Sequence, residues 1–182
     1  MMLVTSNKGK YMEYAAIFKE NGLNLELKLM SYPEEQLSSI EEVAKRSLCY
    51  LTGFIKEDFF IDDSGLFIDT LNGFPGVYSS YAFKTIGNDG IIKLMDGNRD
   101  RTAEFMTCIA YYDGKINTFL GVRKGRISES GKGTNGFGFD PIFIPEGSEK
   151  TYAEMSVEEK NSISHRFLAA TLFVNFLKKK DK

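Results

Sequence analysis

The sequence of 182 residues is poor in the side chains that build zinc and redox sites. Its single histidine, His165, excludes a zinc site made of several histidines. Its two cysteines, Cys49 and Cys108, lie far apart and outside any metal or redox spacing. Because each lies in an apolar run, we expect both to be buried free thiols, as in a reducing compartment. Any catalysis by this chain would therefore rely mainly on carboxylates, lysines, backbone donors and, where a metal takes part, oxygen ligands.

The chain also lacks an excess of basic residues. Its 23 Lys and Arg stand against 25 Asp and Glu, for a net charge of −2. This balance argues against a protein whose main task is to bind DNA or RNA, and the basic residues 178–180 are more simply a solvated helix end. No apolar run approaches the length of a membrane span, and we expect no signal peptide. We therefore expect a cytoplasmic protein with no nucleic-acid or membrane partner.

Apolar spacing and turn residues predict strands and helices that are mixed without strict βαβ alternation. We expect strands at residues 2–5, 23–29, 59–61, 66–71, 101–112, 115–126 and 141–145. We expect helices from about residue 11 to about residue 21 or 22, from 40 to 55, in short pieces between 77 and 95, and from about 164 to 180. The pattern predicts an α/β fold with a mixed β-sheet flanked by helices. The length suits a single domain over residues 1–182, or two lobes that share one core.

Two glycine patterns resemble nucleotide-binding motifs but lack the required context. Gly131-x-Gly133-x-x-Gly136 matches the dinucleotide fingerprint, yet the Phe137-to-Pro141 segment that follows it is a poor helix start. The segment from Gly125 to Lys132 is one residue too long for a P-loop, and Gly133 stands where Ser or Thr should hold Mg²⁺. We reject both interpretations.

Two polar segments in the first half of the chain carry candidate chemistry. Residues 5–10 form a strand-to-helix turn, where backbone N–H groups and the helix dipole attract phosphate; the alternative is a plain capped helix with surface lysines. Residues 62–65, Asp-Asp-Ser-Gly, follow an apolar strand. Adjacent carboxylates on a strand point to opposite faces, so one is expected to face a site and the other to support it. A divalent cation is a suitable partner, and the alternative is a turn with solvated acids.

Two further segments lie in the second half. In Phe137-Gly138-Phe139-Asp140-Pro141, an aromatic ring beside glycine can stack on a base and the carboxylate can accept from ring N–H groups. The alternative is a pair of core phenylalanines with a turn aspartate. In residues 159–166, a helix end and a new helix start bring Lys160, His165 and Arg166 close together, which suits the binding of anions and carbonyl oxygens. The alternative is a helix linker with exposed charges.

The order of these motifs is more specific than any one of them. Thr-x-Asn-x-x-Lys, Asp-Asp-Ser-Gly, Phe-Gly-x-Asp-Pro and Glu-Lys-x-x-x-Ser-His-Arg resemble, in this order, the motifs of the inosine triphosphate pyrophosphatase family, which span the chain from end to end. Pro33-Glu34-Glu35-Gln36 and residues 72–76 also look like family segments. The resemblance implies a homodimer of elongated α/β subunits, each with two lobes and a central nucleotide cleft. At Ser80 many members carry a basic residue, so one phosphate contact is either missing or supplied by Lys84.

The resemblance implies Mg²⁺-dependent hydrolysis of the non-standard purine nucleotides ITP, dITP and XTP to the monophosphate and pyrophosphate, which cleanses the nucleotide pool. Metal binding is assigned by position to Glu34 and Asp63, and Asp63 is also the expected base on the attacking water. Triphosphate binding is assigned to Thr5, Ser6, Asn7, Lys8, Gly9 and Lys10. The rest of the nucleotide site is assigned to Ser64, Phe137, Gly138, Phe139, Asp140, Lys160, His165 and Arg166. Phe137 is expected to stack on the base and Asp140 to help read it.

The chemistry of the base gives a reason for selectivity. Hypoxanthine and xanthine present O6 as an acceptor and N1–H as a donor, whereas adenine presents the reverse. Hydrogen-bond donors from Arg166 or the backbone that point toward O6 would discriminate against adenine by a factor of about 10⁴. Guanine shares O6 and N1–H, so it must be rejected through its 2-amino group. Two alternatives remain. A nucleotide sensor without turnover is disfavoured by the acids Glu34 and Asp63, and a pyrophosphatase for modified pyrimidine nucleotides is disfavoured by His165-Arg166.

Overall fold

The computed structural model describes residues 1–180. The strands are β1 Met2–Thr5, β2 Glu26–Leu29, β3 Phe59–Ile68, β4 Thr102–Tyr112, β5 Ile116–Ile127 and β6 Phe143–Pro145. The α-helices are α1 Lys8–Glu20, α2 Ile40–Leu51, α3 Ser79–Thr85, α4 Gly87–Leu94, α5 Val157–Ile163 and α6 His165–Lys180. Within this described part of the chain, no helix combines the length and apolar character needed to cross a bilayer.

The strands form one six-stranded sheet in the order β2-β1-β3-β4-β5-β6. Strand β1 pairs in parallel with β2 and β3, whereas β6 runs antiparallel to β5. The expected mixed sheet flanked by helices is therefore confirmed. Local signals account for several boundaries: Ser39 caps α2 by accepting from Glu42 N–H at 3.2 Å, and Gly114 has the positive φ that suits the turn between β4 and β5.

Strand β3 differs from its prediction. The sequence suggested one strand ending at Ile61 and a second from Leu66, but β3 runs without a break from Phe59 to Ile68. Gly65 explains the continuity, because a Cβ at this position would lie 2.5 Å from the carbonyl oxygen of Gly76. A glycine lets the strand pass this loop at close range. The paired acids Asp62 and Asp63 therefore lie within a strand and not in a turn.

The chain divides into two compact units, and β3, β4 and β5 contribute residues to both. The first unit contains residues 1–63, 107–121 and those from Arg166 onward, and the second contains residues 64–106 and 122–165. Among residues 1–180, one cluster of buried apolar residues lies around Phe18, Phe60 and Phe173 in the first unit, and another lies around Phe105 and Phe143 in the second.

The two cysteines have different environments. Cys108 is buried as predicted, and burial raises the pKa of its thiol to about 12, with the charges of nearby acids, Glu41 first, as smaller causes. Cys49 is exposed on α2, so the prediction that both thiols are buried is wrong for this residue. Its apolar neighbours in sequence, Leu48 and Leu51, turn inward at helical spacing and leave Cys49 on the outer face.

Candidate active site

Asp62 lies in a buried charge network within the first unit. Its carboxylate is 3.0 Å from Lys10 Nζ, and it accepts from Arg166 Nε at 3.1 Å. Lys10 Nζ also donates to the backbone carbonyl of Asp62 at 3.0 Å. Arg166 Nη1 donates to the carboxylate of Glu13, one helical turn after Lys10 on α1. The charge network, as we call it, comprises Lys10, Glu13, Asp62 and Arg166, and its formal charges sum to zero.

The network determines the ionisation of Asp62 and Arg166. Burial alone would raise the pKa of Asp62, but the charges of Lys10 and Arg166 outweigh it and hold the pKa below its usual value. Burial would likewise lower the pKa of Arg166, and the charges of Glu13 and Asp62 reverse this and raise it. Asp62 is 1% exposed and ionised. Its carboxylate therefore binds the two cations and does not contact solvent. This agrees with the expectation that one acid of the pair supports the other.

The Thr5-to-Lys10 turn satisfies many of its own hydrogen bonds. Thr5 Oγ1 accepts from Asn7 N–H at 3.1 Å, and Asn7 Oδ1 accepts from Gly9 N–H at 2.8 Å and from Lys10 N–H at 3.3 Å. This is a capped helix start, the alternative that the sequence left open. Ser6 and Lys8 are exposed at the tip of the turn. Phosphate binding by this segment stays a prediction, and Ser6 and Lys8 are its most accessible side chains.

The acids predicted to bind metal, Glu34 and Asp63, both belong to the first unit, where Glu34 is exposed and Asp63 is half-buried. Burial raises the pKa of the Tyr32 hydroxyl well above its usual value, and the charges of Asp62, Glu34 and Asp63 raise it further. Residues 1–180 contain no group of three or more His, Cys, Asp or Glu side chains already arranged around a metal position. The two predicted ligands, Glu34 and Asp63, match the needs of Mg²⁺, which uses one or two protein carboxylates together with water and substrate phosphates.

A second buried ion pair lies in the second unit. Lys160 Nζ is 2.6 Å from Asp140 Oδ2, and the same oxygen accepts from the backbone N–H of Phe137 at 2.7 Å. Lys160 Nζ also lies 5.0 Å from the centroid of the Phe137 ring. Phe137, Asp140 and Lys160 lie within 23 positions of one another and belong to two separate sequence motifs. The structure brings these motifs together. Gly136 is part of this arrangement, because a Cβ there would lie 2.0 Å from Asp140 Oδ2.

The remaining predicted residues have distinct positions. Phe137 and Gly138 are half-buried, whereas Phe139 is 3% exposed and packs in the core against Phe83. The ring of His165 is stacked on Phe105, with centroids 4.5 Å apart. Ser64 is half-buried and follows Asp63 on β3. Substrate contact by Phe139 stays a prediction that its core position does not favour.

Sequence reasoning missed two polar residues of the first unit. Glu13 pairs with Arg166, and Tyr32 has a hydroxyl whose pKa is raised by burial and by the charges of Asp62, Glu34 and Asp63. Glu13 has a local signal, since it is three residues after Lys10 and therefore on the same face of α1. Tyr32 has no local sequence signal beyond its position two residues before Glu34.

Comparison with known proteins identifies the family of the chain. The sequence model of the Ham1 family matches residues 1–176. The chain belongs to the Ham1 family. It is 51% identical to a dITP/XTP pyrophosphatase of Pyrococcus horikoshii and 49% identical to one of Thermococcus kodakarensis, over 98% of this chain and 96% and 97% of those proteins. Its fold matches the Ham1 protein of Staphylococcus aureus with a TM-score of 0.83 and 30% identity, over 99% of this chain and 100% of that one. A HAM1 protein from Coxiella burnetii matches with a TM-score of 0.85 and 29% identity, over 98% and 99%.

The charge network predicts a large effect of one substitution. Arg166→Met keeps the bulk of the side chain but removes the cation shared by Asp62 and Glu13. We expect the free energy of unfolding to fall by about 3–5 kcal/mol, because a buried charge is left uncompensated. Urea unfolding followed by circular dichroism measures this. The matched control is Arg46→Met, which removes the exposed ion pair with Glu35; equal losses in the two variants would contradict a stabilising role for the network.

Proposed function

We propose that this protein hydrolyses the non-standard purine nucleoside triphosphates dITP, ITP and XTP to the monophosphate and pyrophosphate. The observation that carries the proposal is a sequence similarity. About half of the residues are identical to those of proteins named dITP/XTP pyrophosphatase, over almost the full length of both chains. The half-buried Asp63, beside the buried and charge-compensated Asp62, supports a hydrolytic reaction. Such a reaction removes damaged nucleotides from the pool.

The proposed phosphate chemistry uses residues of the first unit. Glu34 and Asp63 would hold Mg²⁺, which when bound would offset the negative charge of the triphosphate. The exposed side chains of Ser6 and Lys8 would contact the phosphates. Asp63 would accept the proton of the water that attacks between the α- and β-phosphates. Lys10 and Arg166 would keep Asp62 ionised, and so maintain a fixed negative charge next to Asp63 on the strand.

The proposed recognition of the base depends on an aromatic ring and on hydrogen-bond donors. Phe137, which is half-buried, would stack on the base, and this contact tolerates any purine. The ion pair between Asp140 and Lys160 would fix the loop that carries Phe137. Discrimination would then depend on donors placed toward O6, which adenine cannot satisfy because it carries an amino group there. Arg166 remains a proposed reader of O6, although its Nε and Nη1 are already bonded to carboxylates.

We also propose a homodimer. Helix α3 and its flanks expose several large apolar side chains: Tyr78, Tyr81, Phe83 and Ile86 are 49%, 68%, 40% and 41% exposed. Large apolar side chains that are exposed close together along the chain are typical of protein contacts. The proposal is that a second copy of the chain covers it.

Substrate and metal dependence are tested together. With Mg²⁺, we expect pyrophosphate release from dITP, ITP and XTP and far less from ATP, GTP or dUTP. Excess chelator should abolish turnover, and added Mg²⁺ should restore it. Because water must lose a proton and no histidine relay is evident, the rate should rise toward alkaline pH. Full activity in chelator would refute the metal assignment, and equal rates across the panel would refute the substrate assignment.

Asp63→Asn tests the proposed base. The amide keeps the shape of the side chain but cannot accept a proton, so we expect kcat to fall by at least about 100-fold, the usual contribution of a general base. Thermal melting should show an unchanged fold. Asp69→Asn, an exposed acid immediately after the same strand, is the control and should keep wild-type kcat. A loss within a few-fold at Asp63 would show that another group takes the proton.

Phe137→Ala tests the proposed stacking contact. Stacking on one base is worth about 1–3 kcal/mol, so we expect kcat/KM to fall by roughly 5- to 150-fold. Because every purine has a π face, the losses for ITP and ATP should be equal. Phe137→Tyr keeps the ring and should stay close to wild type. A loss confined to ITP would mean that Phe137 reads the base edge and does not simply stack.

A further inference from the structure

Arg123 joins strand β5 to the end of helix α5 in the second unit. Its Nε donates to the carbonyl oxygen of Ile163 at 2.5 Å. Ile163 is the last residue of α5, and Ser164 after it has extended backbone angles, so the helix ends there. Carbonyl groups at a helix C-terminus lack partners within the helix and carry the negative end of its dipole. A half-buried guanidinium is therefore well suited to hold this carbonyl in place.

The carbonyl that Arg123 holds lies between two side chains assigned to the nucleotide site. Lys160 is three residues earlier, and its ammonium forms the buried ion pair with Asp140. His165 is two residues later, and its ring is stacked on Phe105. Each side chain has its own partner in the second unit, and the short backbone between them contains the Ile163 carbonyl that Arg123 binds. A shift of that carbonyl would move Lys160 and His165 relative to each other.

We propose that Arg123 is a positioning residue for substrate selection. It fixes the α5-to-α6 turn, contacts no substrate itself and acts through Lys160 and His165. The inference rests on the proposed function, because selection presupposes that these two residues meet the nucleotide. A charge-assisted hydrogen bond is stronger and shorter than a neutral one, and this suits a turn that must keep its geometry. Selection between bases depends on the position of this turn, because hydrogen-bond donors and acceptors reject a mismatched base only when they are held in place.

The experiment compares three variants. Arg123→Gln removes the charge, Arg123→Lys keeps it, and Arg126→Gln on the same strand removes an exposed ion pair with Glu149 as the control. The measured quantity is the ratio of kcat/KM for ITP to that for ATP. We expect this ratio to fall roughly tenfold in Arg123→Gln, the factor that one charge-assisted hydrogen bond supplies. Arg123→Lys should recover part of the ratio, and Arg126→Gln should keep the wild-type value.

A second measurement needs no turnover. Hydrogen exchange of the backbone amides of residues 160–166 should speed up in Arg123→Gln and stay unchanged in Arg126→Gln. If exchange does not change, Arg123 does not position the turn and the inference is overturned. If exchange and melting temperature change but the ratio does not, Arg123 is a structural cap only, which also overturns it. A wild-type enzyme without preference for ITP would instead refute the proposed function, and it would do so before any variant is compared.

Discussion

An ionised carboxylate that is almost fully buried, such as that of Asp62, is unstable unless cations and donors replace its lost water. Lys10 on α1 and Arg166 at the start of α6 supply them. The interaction therefore joins three elements that are far apart in sequence, since 104 positions separate Asp62 from Arg166. The arrangement of β3, α1 and α6 depends on it, because moving any one of them would leave a buried charge unpaired.

The same constraint shapes the strand that carries the acids. Asp62 faces the cations, and Asp63, the next residue on β3, projects to the opposite face as strand geometry requires. A turn at this point would allow both acids to reach solvent. The continuous strand does not, and Gly65 makes it possible by accepting the close approach of Gly76. Burial of one acid thus fixes the direction of the other, and orientation of this kind is what a proton acceptor needs.

Local features of the fold were predictable from sequence, and contacts between distant segments were not. Ser39 at the start of α2 and Ser156 at the start of α5 each accept from the backbone N–H three residues later, so these two caps depend only on neighbouring residues. The break predicted after Ile61 was wrong, because the reason for continuity is a contact with a loop eleven residues beyond Gly65. The partners of Arg166 were missed for the same reason, since Glu13 is 153 positions away. The motifs drew attention to the charged residues, but spacing could not say which carboxylate each cation would meet.

The pairing of cations with acids has a consequence for how a nucleotide would be held. Lys10, Lys160 and Arg166 each lie against a carboxylate of their own unit, so these pairs are close to neutral overall. A neutral pair attracts a triphosphate weakly, because the fields of its two charges largely cancel beyond the pair. Under the proposed function, attraction of the phosphates must therefore come from exposed groups such as Lys8 and from the bound cation. The buried pairs would serve geometry instead: they hold the loop of Phe137 and the strand of Asp63 in fixed positions, and fixed positions are what allow a site to distinguish O6 from an amino group.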